Sequence, residues 1–332
     1  MSAPPFQAQA QYGGRDHVGY GEKPPKAPWP NNAKVALSLV VNFEEGAENC
    51  LLHGDKQSEH LLSEIIGVPP YKDARHLNME SLYDYGTRAG FWRIRRALDD
   101  RNVPATVFGC GMALERHPEA VSAMVKSGWE VSSHGYRWID YQDVDEATER
   151  SHIKATIAVH EKMVGAKPAG IYQGKPNLNT RKIVVEEGFL YDNDVYSDDL
   201  PYFTTHDGVL SKPHLVLPYT LDTNDMRFNI SHGYSHAEEF YNYLKDALDT
   251  LLEEGRAGTP KMMTVGLHCR IIGRPSKIRG LMKFLDYAKT KGDDVWFCRR
   301  DEIANLWYKN FYPPGHGPAP VVPIVGRVGA SL

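Results

Sequence analysis

The chain has 332 residues, of which 42% are hydrophobic and 24% charged, and its formal net charge is −4. This balance describes a globular chain with a substantial core and excludes collagen-like, disordered and disulfide-scaffold classes. The charge offers no basic field for nucleic acid, and no apolar run approaches the ~20 residues of a membrane helix, so neither nucleic acid nor a membrane is expected as a partner.

Residues 1–30 are rich in Pro, Gly and Gln and lack the apolar stretch of a secretory leader, so they read as an extended arm. That arm either packs on a neighbouring subunit or covers the bottom of its own barrel. The four cysteines, Cys50, Cys110, Cys269 and Cys298, form no Cys-x-x-Cys pair, which fits free thiols in a reducing compartment and a cytoplasmic location. From Lys34 to Glu44 a continuous apolar run predicts a strand buried on both faces. Short strands are further predicted at Ala105–Gly109, Glu130–Ser133, Gly170–Tyr172, Tyr191–Tyr196, Leu215–Tyr219, Met262–Leu267 and Val295–Cys298. Helical periodicity falls between them, over Ser81–Arg101, Asp145–Val164, Ser235–Glu253 and Ile278–Lys291. Ser235 and Glu238 carry a capping-box pattern, and Gly128, Gly188 and Gly255 stand where helix C-caps are expected. Arg299-Arg300, followed by Asp301-Glu302, reads as a solvated helix start. Residues 313–332 form a Pro- and Gly-rich tail.

Repeated strand–helix alternation predicts parallel strands with crossover helices. Seven or eight such units over about 280 residues fit a closed (β/α) barrel better than an open doubly wound sheet. No Gly-x-Gly-x-x-Gly follows the first strand, which argues the same way. The expected organisation is an arm over 1–30, one barrel over 31–312 and a tail over 313–332.

In such a barrel the reactive groups sit at the C-terminal strand ends. The first strand ends in Glu44 and Glu45, and because the chain turns there both are expected to reach the mouth. Close carboxylates raise one pKa, which suits a general base. His134 and His268 end two other strands and supply acid, base or ligand. Tyr172, Lys175, Tyr219 and Asn224 follow further strands; Asp198 and Asp199, in a cluster over 192–199, are placed either to orient a histidine or to hold substrate N–H groups, and Arg270 and Arg274 to grip a ureido or carboxylate group by forked hydrogen bonds. Each has a structural alternative: a solvated loop start for the acids, a core histidine, turn chemistry for the aspartates, and a surface ion pair for Arg274. Cys269, beside His268, reads as a buried structural thiol rather than a nucleophile.

The order Phe43-Glu-Glu-Gly46, then His134-Gly-Tyr-Arg-Trp138, then Leu267-His268 resembles the polysaccharide-deacetylase superfamily, the NodB-like fold of carbohydrate esterase family four. The resemblance implies a distorted (β/α)7 barrel in a single domain. It sets Glu44 in the place of the catalytic-base aspartate, Glu45 in that of the metal-binding aspartate, His134 in that of the first ligand histidine and His268 in that of the general-acid histidine. Trp138 stands where the second ligand histidine belongs. The closer resemblance is to the metal-independent PuuE-type allantoinases and the fungal chitin-deacetylase-like proteins grouped with them. It is carried by Asn42–Asn49, Leu52–Asp55, Ser133–Tyr141, Tyr191–Asp194, Asp198–Tyr202, Pro218–Asp222, Asn224–Phe228, Gly266–Arg270 and Gly273–Pro275. One block departs: Ile171-Tyr-Gln-Gly-Lys175 stands where those enzymes have Trp-Tyr-Thr-Gly-Arg, and it is expected to face the substrate.

The resemblance therefore implies a hydrolase of carbon–nitrogen bonds that opens the small cyclic amide allantoin to allantoate; the scattered thiols add the expectation of a cytoplasmic location, and the frequency of closed symmetric oligomers among soluble enzymes that of a homo-oligomer. Glu44, Glu45, His134 and His268 would be catalytic. Trp138, Tyr172, Lys175, Asp198, Asp199, Tyr219, Asn224, Arg270 and Arg274 would bind substrate. A chitin or polysaccharide N-deacetylase and a non-catalytic ureide- or sugar-binding barrel are the alternatives. No metal is expected, because Trp138 cannot ligate and Glu45 with His134 falls short of the three protein ligands usual for catalytic zinc. Zinc, if bound, would sit on Glu45 and His134, with His53 or Asp55 as a recruited ligand.

Overall fold

In the computed structural model, which describes residues 15–205 and 210–325, the predicted alternation becomes nine strands and nine helices. In chain order these are β1 (Val35–Phe43), α1 (Leu77–Tyr85), α2 (Phe91–Asp99), β2 (Thr106–Gly109), α3 (Gly111–Arg116), α4 (Pro118–Lys126), β3 (Glu130–Ser133), α5 (Glu146–Met163) and β4 (Gly170–Ile171). They continue with α6 (Thr180–Glu186), β5 (Tyr191–Asp192), β6 (Tyr202–Thr204), β7 (His214–Val216), α7 (Ala237–Arg256), β8 (Lys261–His268), α8 (Ile278–Lys289), β9 (Val295–Cys298) and α9 (Arg300–Phe311).

Every residue of β1 is buried, as its unbroken apolar run requires. One edge of β1 pairs in parallel with β8; the other is shared, with β9 beside Val35–Ser38 and β2 beside Val40–Phe43. From β2 the sheet runs in parallel through β3, β4, β5 and β7, and β6 lies antiparallel outside β7. The far side then curls back towards β8. Asn224 forms an isolated parallel bridge to Gly266, and the Gly266 and Met262 N–H groups donate to the Thr223 and Asp199 carbonyls. Seven parallel strands, β1–β5, β7 and β8, thus make the expected distorted (β/α)7 barrel, with a last seam that is bridged rather than laddered.

The helices cover the sheet through single apolar faces. In α7, Phe240, Leu244, Leu248 and Leu252 recur every four residues and are buried, and α8 answers with Leu281, Phe284, Leu285 and Ala288. Each of these leucines and phenylalanines contributes roughly 1.5–3 kcal/mol by leaving water.

Several local expectations need correction. The single helix predicted over Ser81–Arg101 is α1 and α2 joined by a π turn at Gly86–Gly90. A Cβ on Gly86 would overlap the Glu45 side chain, and one on Gly90 the Cys269 carbonyl, so the two glycines let this helix lie directly on the strand ends. Gly128 and Gly188 do end helices with positive φ, but Gly255 lies within α7, where the Lys34 carbonyl approaches too closely for a side chain. The Ser235–Glu238 capping box is absent: Ser235 donates its N–H to Glu239, and Glu238 pairs with Lys283.

The largest correction concerns Arg299 and Arg300. They begin α9, but both are fully buried. Arg299 forks onto Asp301 at 3.0 and 2.9 Å. Arg300 crosses the interior to donate to Asn193 Oδ1, Thr264 Oγ1 and the carbonyls of Leu217 and Pro218, all within 2.6–2.9 Å. Leu217 and Pro218 follow β7 and Thr264 lies on β8, so one guanidinium ties the two sides of the open seam together.

The described part of the arm lies on its own barrel. Trp29 packs against Trp296 and Trp307 and donates Nε1–H to the Lys261 carbonyl, while the Tyr20 hydroxyl donates to that of Pro201. Residues 1–14 of the arm and 326–332 of the tail lie outside the described residues. Among the described residues no helix is long and apolar enough to cross a membrane.

Candidate active site

Side chains alternate along β1, and the alternation continues past its last paired residue. Asn42 and Glu44 turn into the barrel. Phe43 and Glu45 turn outwards, Phe43 edge-on to Phe91 with centroids 5.5 Å apart and Glu45 against Gly86. A cavity of about 290 Å³ at the C-terminal strand ends is therefore lined by Glu44 but not by Glu45. The expectation that both carboxylates reach the mouth fails because strand parity outlasts the strand.

Glu44 is the centre of the site and is 1% exposed. Its Oε1 lies 3.2 Å from His134 Nε2 and 3.6 Å from His268 Nε2; its Oε2 lies 2.7 Å from Arg270 Nη1. Burial opposes its charge, yet Arg270, then His268 and His134, hold the carboxyl well below the usual carboxylate range. Glu45 accepts the N–H groups of Glu44 and Arg270 at 3.2 Å each, and Arg270 Nη1 is 3.3 Å away. Burial raises its pKa, Arg270 opposes the rise and Glu44 adds to it.

His268 is oriented by a residue that sequence reasoning leaves without a role. Asp225 Oδ1 sits 2.6 Å from His268 Nδ1, and its other oxygen accepts the backbone N–H groups of His268 and Ile272 at 2.7 and 3.0 Å. This fixes Nδ1–H towards Asp225 and leaves Nε2 facing Glu44. Burial pulls the His268 pKa down, but Asp225 and Glu44 outweigh it and raise the value above that of an ordinary histidine. The only sequence signal was position: Asp225 follows Asn224 in a loop that leads from a barrel strand.

Of the other predicted residues, His134, Trp138, Tyr172, Lys175, Tyr219, Asn224 and His268 line the cavity. Lys175 Nζ stands 4.1 Å from the Trp138 ring centroid. Its loop is held by Asp194, which accepts the Gln173 and Gly174 N–H groups at 2.8 and 2.7 Å. Burial, with Asp192 nearby, pushes the Asp194 pKa up to about 7. Asn224 spends its amide on Tyr219, Thr220 and the Met226 N–H, so it shapes the wall.

The remaining predicted residues are elsewhere. Arg270 lies behind Glu44, stacked on Tyr83 at 4.1 Å and near Trp138 at 5.3 Å, and donates Nε–H to the Leu62 carbonyl; it grips protein carboxylates, not substrate. Arg274 is outside the cavity, paired with Glu64 at 3.0 Å and stacked on Tyr85. Asp198 and Asp199 line a separate cleft of about 870 Å³ at the open seam. Ile171 packs with Ile153, Ile183, Val184 and Phe189 behind the sheet, so of that divergent block only Tyr172, Gly174 and Lys175 face the cavity. Cys269 is buried with its thiol pKa raised well above normal by burial, which suits a structural role.

A metal, as implied for the wider superfamily, does not fit these residues. The Arg270 guanidinium already holds both carboxylates, Glu45 faces away from His134, and Trp138 fills a ligand position. Among the described residues no three His, Cys, Asp or Glu side chains converge as a metal site. His53 and Asp55, the candidate replacement ligands, are engaged with Arg116 and Arg137.

The arrangement can hold water against a fixed anion and present a proton from an adjacent imidazolium, beneath aromatic walls. Known proteins agree with such a hydrolytic site. The family model for polysaccharide deacetylases matches residues 78–189. A putative polysaccharide deacetylase of Schizosaccharomyces pombe is 42% identical over 313 residues, covering 89% of this chain and 97% of its own length. Among solved structures, a probable polysaccharide deacetylase from Pseudomonas aeruginosa has a TM-score of 0.86 at 52% identity, and a Puue allantoinase 0.87 at 50%. Each alignment covers 90% of this chain and 98% of the other.

Proposed function

The chain belongs to the polysaccharide deacetylase family, and from that premise we propose that it hydrolyses a carbon–nitrogen bond of a cyclic ureide, with allantoin as substrate and allantoate as product. The observation that carries this reading is the cavity itself. About 290 Å³, lined by Tyr172, Tyr219, Trp138, Leu61 and Leu62, suits one small ring rather than a polysaccharide chain. The Puue allantoinase likeness at 50% identity supports the same reading.

Water held at Glu44 Oε1 attacks a ring carbonyl and gives its proton to that carboxylate as the carbon–oxygen bond forms. Lys175 and His134 face the oxygen on which charge develops. His268 delivers its Nε2 proton to the ring nitrogen as the carbon–nitrogen bond breaks, and the proton on Glu44 then returns to His268. While His268 is charged Glu44 is a weak base; as the imidazolium discharges, one of the cations depressing Glu44 disappears. The two proton transfers therefore assist each other.

Asp225→Asn tests the acid. The value of kcat/KM should fall with rising pH as His268 loses its proton, at a pH above the ordinary histidine range. Removing the Asp225 anion should move that alkaline limb to lower pH and cut the rate by about 10²–10⁴-fold. An unmoved limb in the variant's pH–rate profile would remove His268 as the acid.

The substrate is tested by offering the purified protein allantoin, hydantoin and an acetylated chitin oligomer, and measuring ring opening and acetate release. Ring opening of allantoin is expected. Acetate release from the oligomer with no ring opening would make the protein a polysaccharide deacetylase instead.

A further inference from the structure

Glu44 shares its face of β1 with Asn42, two residues earlier. Asn42 is fully buried and lines the cavity. Its Nδ2 donates to the Tyr219 hydroxyl at 2.9 Å and to the Leu267 carbonyl at 3.1 Å, so both amide hydrogens are committed. Turning the amide over would set Oδ1 against the Leu267 carbonyl, two acceptors in contact, so its orientation is fixed. Asn42 Oδ1 is then left with no hydrogen-bond partner among the described residues. A buried amide oxygen without a partner is costly, and a native fold keeps one where something else completes it.

We infer that Asn42 Oδ1 accepts a ring N–H of the substrate and makes the enzyme selective for cyclic ureides that carry a hydrogen on that nitrogen. The inference rests on the ureide reading above. Lys175 and His134 are donors and read carbonyl oxygens, and the His268 imidazolium has its Nδ1–H on Asp225 and gives its Nε2 proton to the leaving ring nitrogen. Glu44 is already engaged by Arg270, His134 and His268. That leaves Asn42 as the fixed neutral acceptor beside the reacting group, and a ureide ring offers the N–H it lacks. A site built to pair such a hydrogen rejects an analogue without it, because the protein group is left unpaired.

The test is a methyl scan on the wild-type enzyme. Allantoin, hydantoin, the hydantoins methylated at either ring nitrogen, and the ring-oxygen analogue oxazolidinedione are compared by kcat/KM. Loss of one particular ring hydrogen, but not the other, is expected to lower kcat/KM about a hundredfold or more. The near-isosteric Asn42→Leu variant separates hydrogen bonding from crowding. It should bring the unmethylated ring down to the level of the methylated one, whereas a steric filter would keep the preference. Wild-type rates within threefold across the scan, or a preference retained in Asn42→Leu, would overturn the inference while allantoin turnover left the ureide reading standing. Failure to open any ureide would overturn both.

Discussion

Glu44→Gln is expected to lower kcat/KM by about three orders of magnitude or more, with substrate binding nearly unchanged. The amide keeps the volume and the contact with His134 but cannot take a proton from water. Glu45→Gln is the internal control, since Glu45 differs from Glu44 by one position and by the face it presents. Its carboxylate touches Arg270 and backbone N–H groups rather than the cavity, so its substitution should lower the melting temperature more than it lowers kcat. Steady-state kinetics with calorimetric binding of a ring analogue separate the two. A Glu45→Gln protein with an unchanged melting temperature and a rate as low as that of Glu44→Gln would reverse the assignment.

Arg270→Met should unsettle the whole molecule. The guanidinium is 1% exposed and neutralises two buried carboxylates. Methionine can fill the space against Tyr83 and Trp138 but leaves both acids uncompensated, and breaking a buried pair in this way costs about 3–5 kcal/mol. The loss has a pH signature. In the native chain Arg270 is the largest influence holding Glu44 low, so the stability from that carboxylate is present above its unfolded pKa and disappears only as pH falls through a folded value well below the carboxylate range. Without Arg270 burial dominates and the folded pKa rises above the unfolded one. The sign then inverts: the variant should gain stability as pH falls and lose it as pH rises. Denaturant melts of both proteins between pH 5 and pH 8 should show the gap narrowing towards acid. A pH-independent gap would mean that Arg270 acts by packing alone. Adding Glu45→Gln to the variant removes one of the stranded charges and should recover part of the loss.

These contrasts also show why some of the molecule was legible in its sequence and some was not. β1 could be read because nine consecutive buried residues need a run of apolar side chains, and the barrel because strands and helices alternate. The cavity residues at strand ends followed from that architecture. The division between Glu44 and Glu45 did not, because the sequence shows two adjacent acids and only the backbone path shows which one faces inwards. Asp225 was missed because its partner is 43 residues away and a solitary aspartate in a loop has many ordinary uses. Arg299 and Arg300 read as surface residues because charged side chains usually are. Their burial depends on partners such as Asn193, 107 residues distant, and Thr264, 36 residues distant, that no local pattern announces. Arg270 reads in the sequence as a fork for substrate; instead its Nη1 alone bridges the protein's own two acids.

The seam stitched by Arg300 bears on the size of molecule the enzyme can admit. Tyr196, Tyr219 and Leu221 form a party wall, with the reaction chamber on one side and the larger flank cleft on the other. Tyr196 and Leu221 are 48% and 44% exposed, and no strand ladder runs through that wall. At its base the chamber is hooped by β1 to β5, whose backbone bonds would have to break before it widened there. Room for a bulkier ring substituent therefore opens towards the flank rather than through the base, and changes in those three side chains should broaden the substrate range.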